Sequence, residues 1–364
     1  MSVATAQGTE APSTETQGAA VRARGLTPLW ACGAVAFLLV SLVVGVLVGP
    51  VDLGVSGVLE SVGVKLHLPG VSSPLSATEE AILWQIRVPR VVLAALVGAM
   101  LAVAGATYQG VFRNPLADPY LLGVAAGAGL GATIAIAYLP EGLRGQRALP
   151  LAAFIGGSIA VVLTYAVGRS ARRERDAATL VLAGVTVAAF FTAWQTFVQQ
   201  QNSETLQQVY SWILGNIPST GWSDVELILP YVAASLVVII ALRRVVDVLS
   251  LGDDEAASLG VRVGRMRLVL VVAATVGTAA AVAVTGLIGF VGIIVPHAIR
   301  LLSGMSYRAL LPLSAIVGAG FLVLADVVAR TALSPAELPL GVVTAFFGAP
   351  FFALVLRSTR GGVG

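Results

Sequence analysis

Residues 113–132 read RNPLADPYLLGVAAGAGLGA. Arg113, Asn114, Asp118 and two prolines break into a strongly apolar chain, and glycine then returns at every fourth position, at Gly123, Gly127 and Gly131. What the break means depends on the surrounding solvent. Of 364 residues, 57% are hydrophobic and 11% charged, and the mean hydropathy is +0.90. Soluble domains carry about a quarter charged residues, which excludes that class. Stretches such as LTPLWACGAVAFLLVSLVVGVLVG, from Leu26, run uncharged over the ~20 residues a helix needs to cross a hydrocarbon core. The fold class is therefore all-α and integral to a membrane.

Apolar length and interruptions give about ten transmembrane helices, near residues 28–49, 88–111, 118–138, 149–168, 178–200, 226–245, 266–286, 288–303, 309–330 and 339–357. Span eight is short, and the junction 286–290 leaves little room for a loop before it. Residues 1–25 are polar and rich in Ala, Thr, Gly, Glu and Gln, which predicts a disordered tail. Residues 26–364 then form one polytopic domain.

Short-loop arginines set the orientation. With a cytoplasmic amino terminus, 16 of the 22 Lys and Arg residues fall inside, so both termini are expected in the cytoplasm. The net charge of +3 is explained by this topology and needs no nucleic acid. Arg87, Arg90 and Arg330 stand on the other side. Residues 113–119 become a cytoplasmic turn, with Asp118 suited to cap span three and Pro119 to open it. Gly123, Gly127 and Gly131 make a bare stripe along that span. It is suited to close packing within the bundle, since small residues let helices associate in lipid; lining a pore and pairing with a second chain are the alternatives. Gln109, Asn114, Gln195 and Gln199 serve as interhelix hydrogen-bond glue or face a pathway.

Chemistry is sparse. The one lysine, Lys65, has no glycine-rich phosphate loop around it, so no ATP is hydrolysed here through a P-loop. Cys32 has no partner for a disulfide, and His67 and His297 lack metal-ligand spacing. His297 reads as structural, with Pro296 kinking or starting its short helix. Ion-coupled carriers hold ionisable groups at mid-membrane; Asp326 is the main one here, with Arg330 as its i,i+4 neighbour. The alternatives are a separate ATPase partner, an ion-coupled carrier using Asp326 and Glu337, and passive conduction. The loop at about 246–265, VDVLSLGDDEAASLGVRVGR, favours the separate ATPase partner. Ser250 or Gly252 can start a short helix with Asp253, Asp254 and Glu255 in its first turn, and Gly260 can end it. A second short basic helix through Arg262, Arg265 and Arg267 is expected to follow. Such a loop either docks into a groove on another protein or is an ordinary amphipathic surface loop.

Several stretches together resemble one family. RVPRVVLAALVGAMLAVAGATYQGVFRNPLADPYLLGVAAGAGLGA, LGDDEAASLGVRV, TGLIGFVGIIVPHAIRLLSG and LADVVARTALSPAELPLGVVTAFFGAPFF closely resemble the FecCD-type permeases of ATP-binding cassette importers for iron-siderophores, haem and cobalamin. The resemblance covers nearly all of residues 80–357. It implies ten helices in two inverted halves, a homo- or heterodimer with a second permease subunit, and residence in the bacterial cytoplasmic membrane. It also implies that the chain is no enzyme and binds no cofactor, ATP and Mg being used by separate ATPase subunits. By match, Arg87, Arg90 and Arg330 would face acidic residues of an extracellular or periplasmic binding protein, snorkelling to lipid headgroups being the alternative. The segment Leu251, Gly252, Asp253, Asp254, Glu255, Ala256, Ala257, Leu259, Gly260 and Val261 would dock on the ATPase. A ferric siderophore is the expected cargo, with haem or cobalamin as the alternative.

Overall fold

The computed structural model describes residues 28–140, 142, 147–170, 177–219, 221–303 and 306–360. The tail to Gly25, and Arg144, Arg172, Arg173 and Arg175 of the charge count, lie outside these. The described chain is helical: α1 Pro28–Leu47, α2 Val55–Lys65, α3 Ala77–Ala81, α4 Val88–Phe112, α5 Val124–Tyr138, α6 Ala148–Ser170, α7 Ala177–Gln201, α8 Leu206–Ile213, α9 Trp222–Ala241, α10 Arg243–Leu249, α11 Asp253–Ser258, α12 Val263–Thr285, α13 Val291–Ser303, α14 Tyr307–Thr331 and α15 Leu340–Arg360. Among the described residues seven helices are long and apolar enough to cross a membrane: α1, the continuous rod from Ala77 through α4, and α6, α7, α9, α12 and α14. Shorter apolar helices, α5, α13 and α15, stand where spans three, eight and ten are expected.

A helix apolar on all sides is a buried one, and α4 is that helix. From Val97 to Phe112 all of its residues are buried. Its neighbours are α14, α12, α13 and α9. Glycine decides how near they come. A Cβ on Gly98 would collide with the carbonyl oxygen of Gly318 in α14, and one on Gly105 with that of Gly292 in α13. Where lipid tails are as apolar as the side chains, such backbone contact supplies the van der Waals energy of association.

The glycine stripe of the opening stretch does the same for α5. Side chains at Gly127 and Gly131 would strike the carbonyl oxygens of Gly156 and Ala152 in α6. Gly123 lies outside the stripe: it caps α5 with φ +82°, a left-handed conformation that favours glycine. The helix accordingly starts at Val124 and not after Asp118. Asp118 instead accepts the N–H of Tyr120 at 2.8 Å, closing a local turn. Pro119 packs against Gly292. Local propensity for a cap at Asp118 is overridden because the loop is pinned elsewhere.

That pin is Tyr120. Its hydroxyl donates to the carbonyl of Ile288 at 3.0 Å and accepts the Ile288 N–H at 3.1 Å. Residues 286–290 are non-helical, with φ +68° at Gly286 and +70° at Phe290. Non-helical backbone inside a bundle must find protein partners, and Tyr120 supplies both for Ile288. Two further joints meet there. Asn216 donates to Thr285 O at 2.8 Å, and Leu340 and Gly341 donate to Gly215 O and Leu214 O at 2.8 and 3.0 Å. Pro296 does not start α13 but lies inside it.

Overpacking a close helix crossing destabilises by roughly 1–3 kcal/mol or more. Gly105→Val should therefore lower the thermal unfolding temperature of the purified protein sharply. Gly33→Ala, where nothing lies within 4 Å of the added Cβ, should leave it unchanged.

Candidate functional site

Charged side chains gather at the two ends of the α4–α14 pair. At one end, wide π turns at Ile82–Arg87 lead into α4. Arg87 points back to the end of α1 and donates to the carbonyls of Val46, Leu47 and Val51 at 3.1, 3.2 and 2.6 Å. The last carbonyls of a helix lack intrahelical donors, and a cation satisfies both their hydrogen bonds and their dipole. Arg330 adds a bond to Gly45 O at 2.6 Å and stands 3.5 Å from Asp326.

Arg90 is the centre of this end. Its Nε and Nη2 donate to Asp326 at 3.1 and 2.9 Å. Nη1 and Nη2 donate to the two carboxylate oxygens of Glu337 at 2.9 and 2.8 Å, and Nη1 also to Ser219 Oγ at 3.1 Å. A guanidinium has five N–H donors in a fixed fork, and all are engaged. Arg90 and Arg330 are balanced by Asp326 and Glu337. The two carboxylates differ in setting: the Asp326 side chain is 2% exposed and that of Glu337 44%. The hydrogen bonds from Arg90 hold the Glu337 carboxyl below the usual carboxylate range.

The sequence predicts Arg87, Arg90 and Arg330 as exposed charges. The structure instead buries them, at 4, 6 and 3% exposure. Their long-range partners are the reason. Asp326 with Arg330 is visible locally as an i,i+4 pair; Arg90 with Asp326 and Glu337 is not, across separations of 236 and 247 residues.

The other end carries the loop between α9 and α12. Gly252 precedes α11, and Asp253, Asp254 and Glu255 fill its first turn, as expected. Gly260, with φ +80°, ends it: Gly260 N–H binds Ala257 O and Val261 N–H binds Ala256 O, the paired closing bonds of a glycine-terminated helix. Ala256 is buried and anchors the helix, whereas Leu251 and Leu259 are each 63% exposed. The expected second basic helix does not form. Arg262 caps α12, and Arg265 and Arg267 lie in its opening turns, because the apolar run of the span propagates back to Val263.

Two carboxylates fasten this loop. Asp253 binds Arg267 of α12 at 2.7 Å and stands 3.7 Å from Arg113 at the end of α4. Asp247 of α10 accepts the Tyr307 N–H at 2.6 Å and pairs with Arg308 at 3.3 Å, both at the start of α14. Nearby, Gln109 donates to Gly292 O at 3.0 Å and accepts from Arg300, whose guanidinium lies 5.5 Å from the Tyr307 ring centroid. Gln109 thus ties α4 to α13. Asn114 accepts the Leu116 N–H within its turn, and Gln195 is buried against Gly129. His297 packs beside Phe351 and Phe352. No group of three or more His, Cys, Asp or Glu that could hold a metal ion occurs among the described residues.

A glycine-packed apolar bundle with charged clusters at its two ends is an integral membrane protein. The chain belongs to the FecCD transport family, whose sequence model matches residues 37–358. It is 43% identical over 280 residues to the cobalamin import system permease of Halobacterium salinarum, covering 77% of this chain and 74% of that one. It is 39% identical over 286 residues to the iron(3+)-hydroxamate import system permease of Bacillus subtilis, covering 79% and 74%. A solved chain from an inward-facing metal-chelate type ABC transporter superposes with a TM-score of 0.77 at 27% identity, covering 91% of this chain and all of that one.

Breaking a buried ion pair from one side costs roughly 3–5 kcal/mol, and an exposed one about 0–1. Thermal unfolding of the purified protein should therefore fall strongly for Asp326→Asn and little for Glu337→Gln. The Glu337 contribution also has a pH signature. Because its folded pKa is depressed, the contribution is present above the unfolded value of about 4.3 and is lost as pH falls through the folded value. The wild type and Glu337→Gln should differ by a constant increment from pH 5 to 8, and the difference should shrink as pH falls below about 4.3 and vanish once the folded carboxyl is protonated.

Proposed function

We propose that this chain is the membrane-spanning subunit of an ATP-binding cassette importer that carries a ferric siderophore into a bacterial cell. Membership of the FecCD family and the relatives named for iron-hydroxamate and cobalamin import support the class. The observation that carries it is α11: a short helix tied to α12 through Asp253, in a loop tied to α14 through Asp247, with Leu251 and Leu259 turned outward as apolar contacts for a partner. On this proposal the chain crosses the membrane ten times in two inverted halves, and both termini face the cytoplasm. Residues 251–261 receive the separate ATPase, which binds and hydrolyses ATP. The Arg90 end faces outward to a solute-binding protein. A second permease subunit completes the pathway, and cargo passes by alternating access. The ion-coupled alternative is disfavoured because Asp326, the carboxylate buried within the bundle, is paired with both Arg90 and Arg330. A cobalamin cargo is the second reading, favoured by the higher identity to the cobalamin permease.

Uptake of labelled ferric siderophores, cobalamin and haem in a strain lacking the gene tests the assignment. One iron chelate's uptake should be lost, restored by the wild type, and not restored by a Leu251→Glu, Leu259→Glu variant that still reaches the membrane. Loss of cobalamin uptake alone would replace the cargo. Unchanged uptake of all three, or full rescue by the variant, would overturn the proposal.

A further inference from the structure

We infer that Glu337 is a releasable internal carboxylate that holds the Arg90 guanidinium until an acidic side chain of the docking protein takes its place. The inference rests on the proposed outward-facing, protein-binding role of the Arg90 end. It starts from the inequality of two carboxylates on one guanidinium. Asp326 is sealed in the bundle, bound also by its i,i+4 neighbour Arg330, and has no route out. Glu337 makes equally short bonds but from the rim, with nearly half its side chain in solvent.

Saturation makes the contact an exchange. Every N–H of Arg90 is used, so an external carboxylate gains the fork only when Glu337 leaves it. Charge makes the exchange balanced. Without Glu337, two guanidinium groups face one carboxylate, an excess that attracts an anion, and bidentate carboxylate geometry is what the open half of the fork fits. The same excess opposes release of Glu337 in the absence of a substitute, so the pair stays closed at rest.

Position gives the exchange a consequence. Glu337 lies in the short segment between α14 and α15. Three residues on, Leu340 and Gly341 hydrogen-bond to Gly215 and Leu214. Of these, Leu214 and Gly341 border an open apolar groove of about 480 Å³ together with Leu287 and Phe290. Lifting Glu337 from Arg90 therefore pulls on the first turn of α15 and on one wall of that groove. Docking and the shape of the groove are joined through one side chain.

The test uses the full transporter with its ATPase in nanodiscs of zwitterionic lipid, so that no anionic headgroup competes. The probe is the solute-binding protein that co-purifies with it, and its Kd is measured for the wild type, Glu337→Gln, Arg90→Gln and the double variant. Removing an internal competitor worth up to about 1 kcal/mol should tighten docking by up to about fivefold in Glu337→Gln. Arg90→Gln should weaken docking, and in the double variant the Glu337 effect should disappear. Docking that weakens in Arg90→Gln but is unchanged or weakened in Glu337→Gln overturns the exchange and leaves the docking role standing. Absence of docking to the wild type, or docking indifferent to Arg90, overturns both. Should Arg90→Gln fail to fold, Glu337→Gln decides the exchange by itself.

Discussion

The crossing of α4 and α14 at Gly98 and Gly318 is the contact on which the rest of the structure depends. No Cβ fits between them, so the two backbones touch and behave as one rod. At 1.5 Å per residue, α4 is about 37 Å long, enough to reach from one face of a bilayer to the other. The same two helices carry both charged ends. Arg90 of α4 meets Asp326 of α14 at one; at the other, Arg113 faces Asp253 and the first residues of α14 are held by Asp247. Each end is fastened to the rod by ion pairs, while the apolar middle holds by shape alone.

This arrangement separates what is fixed from what can move. Arg87 and Arg330 bind carbonyls of α1 from buried positions. The joints between helices are different. Within residues 286–290, Ile288 is held from outside by the Tyr120 hydroxyl, and the start of α15 rests on backbone bonds to Gly215 and Leu214. Motion of a packed bundle concentrates where the helices are interrupted. On the proposed function, that places the gating segments around Leu214, Leu287 and Gly341, between a docking end and a coupling end that are themselves stiff.

Much of this was legible in the sequence because local rules govern it. Apolar runs located the membrane helices. Acids after Gly252 and the glycine at 260 bounded α11, since caps act within one turn. Gly127 and Gly131 signalled a close neighbour through spacing alone. The remainder depended on contacts no local rule reaches. Asp118 looked like a cap, yet Tyr120 is captured by a backbone 168 residues away, and the helix waits for Gly123. The arginines looked exposed because charges in short loops usually are; their burial follows from carboxylates and carbonyls supplied by distant segments. Arg262, Arg265 and Arg267 look like a separate basic helix by charge pattern, but the apolar span behind them is continuous and carries α12 back to Val263.

On the proposed function, the α4–α14 pair carries a docking event at one end to the helix fastened at the other. This coupling is tested most directly by ATP hydrolysis of the reconstituted transporter, with and without its binding protein, in an Asp247→Asn, Asp253→Asn double variant. These changes cut the ties between the α10–α11 loop and α14, α12 and α4 while leaving the Arg90 end intact. Docking affinity should be unchanged and the rise in hydrolysis on docking lost. A variant that docks and is stimulated as fully as the wild type would contradict the coupling.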